Sequence, residues 1–188
     1  MPPSRRGSPE RIGYRDRALL PHLGATMPSG PVVLDTNVFI NALRQREPPL
    51  PRMLLASLTD AFVAAPTRAE LSWLIGRLAP DHPGTARVVA AIEAAISHID
   101  PAKVLVPTDA DWLAAGSLAG RAARAIAGGA KTVTSAADRQ ELIGDAITAI
   151  LARAAGFTVI TEDADFDIVA RMAPGLSVLF YDRVPTPA

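Results

Sequence analysis

The sequence predicts an α/β fold in which helices pack against a mainly parallel sheet. Five short apolar runs of strand length recur along the chain, at residues 32–34, 61–64, 104–106, 158–161 and 176–180. Segments of helix length separate most of these runs, and this alternation is typical of parallel sheets because each helix returns the chain to the same end of the sheet. The 188 residues, 49% of them hydrophobic, are enough for one domain with a sizeable core.

The first predicted strand leads directly into polar residues. The Asp-Thr-Asn sequence at residues 35–37 ends this strand and is suited to cap a following helix. Residues 1–30, ahead of the strand, are rich in proline, glycine, serine and arginine and show no strand or helix periodicity. This pattern predicts a flexible extension over residues 1–30, a domain over residues 31–182 and a tail over residues 183–188.

Helical spacing of apolar residues predicts two amphipathic helices, within residues 71–78 and 88–96, whose apolar faces are expected to cover the sheet. A third helix is predicted to begin near Thr108, because Asp111 lies three residues later in an N-terminal capping arrangement. Residues 128–137 are small and polar, with one lysine, and are predicted to form a mobile loop.

Composition excludes several classes of site. Lysine plus arginine equal aspartate plus glutamate at 19 each, so the overall charge does not indicate a general polyanion-binding protein. The absence of cysteine excludes disulfides and thiolate metal sites, and His22, His82 and His98 show no spacing typical of a zinc site. No apolar run has the length of a membrane span, and the arginine-rich start lacks the apolar core of a secretory signal. We therefore expect a cytoplasmic protein without membrane contact.

Three carboxylates occupy positions that need an explanation. Asp145 lies within residues 142–155, an almost wholly apolar stretch that predicts a buried helix; its alternative role is to lie in the first helical turn, against the helix dipole. Asp35 follows a strand, where open parallel sheets bind ligands, and its alternative role is a helix cap. Glu70 closes a Thr-Arg-Ala-Glu capping box at residues 67–70, and local pattern alone favours that structural role.

A fourth acidic group follows the strand predicted at residues 158–161. It places four carboxylates within six residues: Glu162, Asp163, Asp165 and Asp167. Close carboxylates repel one another, whereas Mg²⁺ or Mn²⁺ prefers oxygen ligands and relieves this repulsion. The sequence therefore predicts a divalent metal site, in which such an ion polarises a phosphoryl oxygen and activates water.

Four segments, taken in order, resemble the motifs of PIN domains, the family that includes the VapC-type toxins of bacterial toxin–antitoxin pairs. They read VLDTNVFI at residues 33–40, TRAELSWLIG at residues 67–76, GDAI at residues 144–147 and VITEDADF at residues 159–166. The resemblance covers roughly residues 31–182. It implies a three-layer α/β/α sandwich around a mainly parallel sheet, with acidic residues converging at one edge.

The resemblance also implies an activity, namely metal-dependent hydrolysis of phosphodiester bonds in RNA by an endoribonuclease with Mg²⁺ or Mn²⁺ as cofactor. By motif, it assigns the catalytic and metal-binding positions to Asp35, Glu70, Asp145 and Asp163, with Asp165 as an alternative to Asp163. Thr36 and Asn37 match the polar pair that would orient the first aspartate, with simple helix capping as their alternative role.

Partners follow from the same resemblance: an RNA substrate, a small antitoxin protein and a second copy of the chain in a homodimer. Lys131 and Arg139 are expected to contact RNA phosphates, although surface charges of this kind are more often simply solvated. The long helical segment at residues 83–99 and the arginine-rich start go beyond what a minimal toxin of this family needs.

Two other functions stay open at this point. The first is a catalytically inactive PIN-like module that binds RNA or protein. The second is a phosphatase with Asp35 as nucleophile, which is less favoured because Asn37 stands where haloacid-dehalogenase-like phosphatases place a second aspartate.

Overall fold

The computed structural model describes residues 12–45, 60–126 and 135–182. These residues contain five strands: β1 (Val32–Leu34), β2 (Ala61–Ala64), β3 (Val104–Leu105), β4 (Thr158–Thr161) and β5 (Ser177–Phe180). They also contain six α-helices: α1 (Thr36–Leu43), α2 (Ala65–Arg77), α3 (Thr85–Ser97), α4 (Asp109–Ile126), α5 (Ala136–Ala155) and α6 (Asp165–Met172). Each of the five predicted strands is present, with β3 and β5 each one residue shorter than predicted.

The five strands form one parallel sheet in the order β3-β2-β1-β4-β5. The chain builds the sheet outward from β1 in one direction through β2 and β3, and then continues on the other side of β1 with β4 and β5. The order therefore reverses between β1 and β4. In open α/β sheets, the crevice beyond the carboxyl ends of the strands at such a reversal is where ligands bind.

The sheet separates two apolar cores. Val33 of β1 and Val159 of β4 pack in the larger core together with residues of α4, α5 and α6. Val32 and Ile160, their neighbours along the same strands, pack on the opposite face with Val38 of α1. Successive residues of a strand point to opposite faces, so fully apolar strands require helices on both sides. The predicted α/β/α sandwich around a parallel sheet is confirmed.

The two amphipathic helices predicted from residues 71–78 and 88–96 are present as α2 and α3, but α3 does not cover the sheet as predicted. Its main contacts are with α1 and α2, and Ile92 is its only buried residue. Val88, on the same helix, is 41% exposed. The apolar face of α3 is therefore partly used against other helices and partly left at the surface, a distinction that periodicity alone does not make.

Helix α5 begins earlier than the sequence indicated. Ser135 caps it, accepting from the backbone N–H of Asp138, while the Asp138 carboxylate accepts from the backbone N–H of Ser135. The loop predicted over residues 128–137 is therefore wrong for residues 136 and 137, and residues 127–134 lie outside the described part of the chain. The helix ends at Gly156, whose φ of 71° is the left-handed conformation that glycine adopts without strain.

Residues 12–23, which we call the N-terminal strap, pack against the domain. Leu20 and Leu23 are buried, at 6% and 5% exposure, one in each core. Phe180 of β5 donates its backbone N–H to Pro21 O at 2.8 Å and accepts from Leu23 N at 2.7 Å. The predicted flexible extension is therefore wrong for the strap, because its leucines and backbone complete the β5 edge. The prediction stands untested for residues 1–11, as does that of the tail, because both lie outside the described part of the chain.

Among the described residues, no helix combines the length and the apolar character needed to cross a bilayer.

Candidate active site

The candidate site lies at the reversal in strand order, beyond the carboxyl ends of β1 and β4. Asp35 directly follows β1, and Asp163 comes two residues after β4. Thr161, the last residue of β4, donates its hydroxyl to Asp35 Oδ2 at 2.7 Å and accepts from the backbone N–H of Asp163 at 2.9 Å. One threonine thus connects the first and the last of the four acidic motifs.

Asp35 is both a helix cap and a member of the site. Its side chain is 6% exposed, and its Oδ1 accepts from the backbone N–H of Thr36 at 2.7 Å at the start of α1. Asn37 donates its side-chain amide to Oδ2 at 3.2 Å, and Thr161 donates to the same oxygen. The two roles considered for Asp35 are therefore compatible, and three donors fix the orientation of its carboxylate.

Glu70 does not close a capping box. Helix α2 begins at Ala65, so Thr67 is already inside the helix and buried, rather than at its N-cap. Glu70 Oε2 instead accepts from the hydroxyl of Thr36. Thr36 therefore connects two acidic residues: its backbone N–H donates to Asp35, and its hydroxyl donates to Glu70.

Asp145 lies in the third turn of α5, so its alternative role in the first turn of that helix is wrong. The residue is only 8% exposed, and its Oδ2 atom is buried without a hydrogen-bond partner among the described residues. Burial raises the pKa of Asp145 well above its usual value, and repulsion from Asp35 and Asp163 raises it further. A buried carboxylate oxygen without a donor is costly, and such exceptions call for a specific reason.

The acidic loop, residues 162–167, does not act as one group. Asp163 accepts the backbone N–H of Asp165 at 2.8 Å, and burial raises its pKa. Asp165 accepts instead from the hydroxyl of Tyr14. Asp167 is 1% exposed and forms ion pairs with Arg15 at 2.6 Å and Arg171 at 3.2 Å. At Asp167, therefore, arginines rather than a metal ion relieve the repulsion expected within this acidic group.

The electrostatics of the site show an excess of negative charge. Burial raises the pKa of Asp35 to about 7 even though the hydrogen bond from Thr161 lowers it, and Asp163 and Glu70 add repulsion. Burial is also the largest cause of the raised pKa of Asp145 and of Asp163, and repulsion from neighbouring carboxylates raises both further. Carboxylates whose pKa values are raised by burial and mutual repulsion, in a crevice at the end of a sheet, are typical of a site that takes up a cation.

Sequence reasoning missed Glu141. This residue lies on α5 four positions before Asp145, and its pKa is raised by burial and by repulsion, first from Asp163. It lines a cleft of about 430 Å³ together with six other residues: Arg17, Asn37, Glu162, Asp163, Ala164 and Asp182. The spacing of four residues was the available signal, because it places Glu141 and Asp145 on one face of a helix.

The donors at this site fit a hard divalent cation by their chemistry. Carboxylates are the ligands that Mg²⁺ and Mn²⁺ prefer, and Asp145 contributes an oxygen that accepts no hydrogen bond from any described residue. Within the described ranges, however, no three histidine, aspartate or glutamate side chains are arranged to hold one ion as they stand. Side-chain rotation would therefore have to accompany binding by Asp35, Asp145, Asp163 and Glu70.

Gly144, beside Asp145, leaves room for Glu70. A β-carbon at residue 144 would lie 2.9 Å from Glu70 Oε1, which is closer than a van der Waals contact. The glycine in the middle of a helix, otherwise an unfavourable choice, thus has a packing reason. The two residues expected to contact RNA give less information: Arg139 is exposed near the start of α5, and Lys131 lies outside the described residues.

Several solved structures have a similar fold. FitAB bound to an IR36 DNA fragment matches with a TM-score of 0.54 and 19% identity over 79% of this chain and 94% of that chain. VapBC2 from Rickettsia felis, bound to a DNA fragment from its promoter, matches with a TM-score of 0.52 and 15% identity over 81% of this chain and 100% of that chain. VapBC-5 from Mycobacterium tuberculosis is a member of the VapBC family of toxin–antitoxin systems. It matches with a TM-score of 0.50 and 22% identity over 80% of this chain and 98% of that chain. At these identities the likeness concerns the fold.

Family membership rests on the sequence itself. None of the curated proteins compared with this chain matches it. The PIN domain family, in contrast, matches residues 32–172, a span that begins with β1, ends with α6 and includes Asp35, Glu70, Asp145 and Asp163. The match covers well over half of the chain and confirms the resemblance drawn from the four motifs. The chain therefore belongs to the PIN domain family.

Proposed function

We propose that this protein is a metal-dependent endoribonuclease and the toxin of a type II toxin–antitoxin pair. The observation that carries the proposal is Asp145, a buried carboxylate with an oxygen that has no hydrogen-bond partner in the described part of the chain, in a crevice where Asp35 and Asp163 repel it. PIN domains are generally nucleases, and the VapBC structures of similar fold come from toxin–antitoxin systems. An acidic crevice without cysteine or a histidine cluster fits phosphodiester hydrolysis supported by a divalent ion.

Some residues of the site would hold the metal ion, and others orient those ligands. Asp35, Asp145, Asp163 and Glu70 would hold Mg²⁺ or Mn²⁺, which, when bound, supplies a Lewis acid for the phosphoryl oxygens. Thr161 and the backbone N–H of Thr36 fix the Asp35 carboxylate, and the Thr36 hydroxyl holds Glu70. Asp165, already engaged by Tyr14, is the weaker candidate for the fourth position.

The substrate and partner belong to the same proposal. The RNA would approach over the cleft, with Arg139 and Lys131 as contacts to its phosphates. A small antitoxin would inhibit the enzyme by covering the acidic cleft with a basic side chain, since the cleft lining contains Glu141, Glu162 and Asp163. A homodimer and a cytoplasmic location stay predictions from the sequence.

A second candidate function is a PIN-like binding module that has lost catalysis. It is favoured by one observation, namely that no three of the described carboxylates are placed to hold an ion as they stand. Titration of the purified protein with Mn²⁺ discriminates the two candidates, because the nuclease requires binding at the crevice.

The nuclease proposal is tested by cleavage of a mixed pool of single-stranded RNA with Mg²⁺ or Mn²⁺. We expect cleavage that EDTA and Asp35→Asn both abolish, because each removes the charge pairing between carboxylate and metal. Asp81→Asn, an exposed carboxylate between α2 and α3, is the matched control and is expected to cleave like wild type. Cleavage that survives in Asp35→Asn would come from a contaminant or another site. Absence of both RNA cleavage and Mn²⁺ binding would favour the binding module.

Gly144→Ala should separate activity from stability. An added methyl group displaces the Glu70 carboxylate from Thr36, so we expect cleavage to fall by roughly tenfold or more. Helix propensity favours alanine by about 0.5–1 kcal/mol, so thermal unfolding should shift little. Gly116→Ala on α4 is the matched control, because a β-carbon there would have no atom of the described residues within 4 Å and activity should be retained. Equal activity in the two variants would show that Glu70 is not needed.

A further inference from the structure

The N-terminal strap forms hydrogen bonds with the acidic loop from the first residue of the loop to the last. Tyr14 donates its hydroxyl to Asp165 Oδ1. Arg15 donates to the Asp167 carboxylate from its backbone N–H at 3.1 Å and from its Nε at 2.6 Å. Arg17 donates to the carbonyl oxygen of Glu162 at 2.8 Å. Three strap residues thus bind three positions of a loop that lies about 150 residues later in the chain, and every one of these bonds has its donor on the strap.

Arg17 also ties together the ends of two strands. While one of its terminal nitrogens donates to Glu162 O, the other donates to Tyr181 O at 2.8 Å, and its Nε pairs with Asp182. Glu162 directly follows β4, and Tyr181 directly follows β5. The planar guanidinium therefore works as a fixed fork across the carboxyl ends of β4 and β5, a geometry that lysine does not reproduce.

Arg15 binds Asp167, at the other end of the acidic loop. Asp167 is almost fully buried, and Arg15 neutralises it together with Arg171, whose guanidinium also donates to the carbonyl oxygen of Gly13. Removing one partner of a buried ion pair leaves an uncompensated charge and is strongly destabilising. The start of α6, which the acidic loop enters, is therefore fixed by the strap.

Asp163 lies between these anchored positions. Its backbone N–H donates to Thr161, the residue that also donates to Asp35, and its carboxylate accepts from the backbone of Asp165. The position of Asp163 relative to Asp35 thus depends on a loop whose residues 162, 165 and 167 are all held from the strap.

We propose that the strap is part of the active site, with Tyr14 and Arg17 as positioning residues that hold the Asp163 carboxylate where it can share a divalent cation with Asp35 and Asp145. The inference rests on the proposed metal-dependent function. It assigns a role to a segment that lies ahead of the PIN domain match, which begins at residue 32. It also favours Asp163 over Asp165 as the fourth acidic residue, because the Tyr14 hydroxyl occupies an oxygen of Asp165.

The test uses the full chain with Tyr14→Phe, which removes one hydroxyl, and Arg17→Gln, which removes the fork. Arg87→Gln, an exposed arginine on α3, is the matched control for loss of charge. The first readout needs no metal and no activity: hydrogen–deuterium exchange of the acidic loop in the presence of EDTA. The second is the dissociation constant for Mn²⁺ measured by calorimetry, and the third is kcat for RNA cleavage.

We expect faster exchange in the acidic loop of both variants and an Mn²⁺ dissociation constant raised by about 10- to 100-fold, with the control unchanged. Faster exchange with Mn²⁺ affinity equal to that of wild type would overturn the proposal, because the strap would then be structural only. Unchanged exchange would overturn it as well. Wild-type protein that binds Mn²⁺ but cleaves no RNA would contradict the nuclease function alone, since Mn²⁺ affinity would still decide the role of the strap.

Discussion

Asp145→Asn is expected to abolish metal-dependent cleavage and, at the same time, to make the metal-free protein more stable. The carboxylate is buried, its Oδ2 has no donor among the described residues, and its neighbours Asp35 and Asp163 repel it. Asparagine has nearly the same shape and no charge, so it removes the repulsion without leaving a cavity. Loss of a direct metal ligand should lower kcat by more than about a hundredfold, since loss of a supporting residue alone costs 10- to 100-fold.

The stability gain is measured by urea unfolding at neutral pH in EDTA, where we expect roughly 1–3 kcal/mol in favour of Asp145→Asn. Asp167→Asn is the matched contrast: its carboxylate is also buried but is paired with Arg15 and Arg171, so the same change should lower stability. A loss of stability in both variants would mean that Asp145 has a cationic partner in the folded protein. The site assignment would then be wrong.

If Asp145→Asn raises the free energy of unfolding and Asp167→Asn lowers it, the crevice contains unrelieved electrostatic repulsion. A sequence selected only for stability would replace an unpartnered buried carboxylate, and functional sites are where such costs persist. Asp145 would then serve to bind the metal ion rather than to stabilise the fold.

The sheet and the place of Asp35 were predictable because they depend on local patterns. A parallel strand buried on both faces is a short apolar run, and its carboxyl end is marked by the first polar residue, which here is Asp35. The same argument placed Asp163 beyond β4. Since the two strands are neighbours in a parallel sheet, their ends had to meet.

Glu70 and Asp145 were harder because their surroundings come from distant parts of the chain. The capping box at residues 67–70 is a valid local pattern, but the helix begins at Ala65 and the partner of Glu70 is Thr36. For Asp145, the composition of residues 128–137 hid the start of α5. The Ser135 and Asp138 pair was a usable capping signal that sequence reasoning passed over.

The strap was not predictable from local pattern. Its few apolar residues show no periodicity, yet Leu20 and Leu23 enter the two cores. Its arginines formed part of a predicted flexible extension, whereas Arg15 pairs with a residue 152 positions away. Such long-range ion pairs become visible only when the fold has placed their partners, and this one explains why the acidic loop tolerates the buried Asp167.

The metal-free protein is expected to be less stable at about pH 8 than at about pH 5. Burial and repulsion raise the pKa of Asp35 from 3.8 to about 7 in the folded state, and that of Asp145 is raised as well. Between these pH values the folded protein binds more protons than the unfolded chain, so the free energy of unfolding falls as pH rises. Asp111, whose pKa is lowered, has the opposite effect only below about pH 4 and leaves this window unaffected.

Urea unfolding in EDTA at the two pH values measures the difference, which we expect to be roughly 2 kcal/mol or more. Asp35→Asn should reduce it, because the titrating group is gone. Mn²⁺ should restore stability chiefly at the higher pH, since a cation and protons compete for the same carboxylates and only the folded protein gathers them into one site. Greater stability at the higher pH in EDTA would show that the crevice already contains its neutralising charge. That result would remove the electrostatic reason for a metal, and with it the main support for the nuclease proposal.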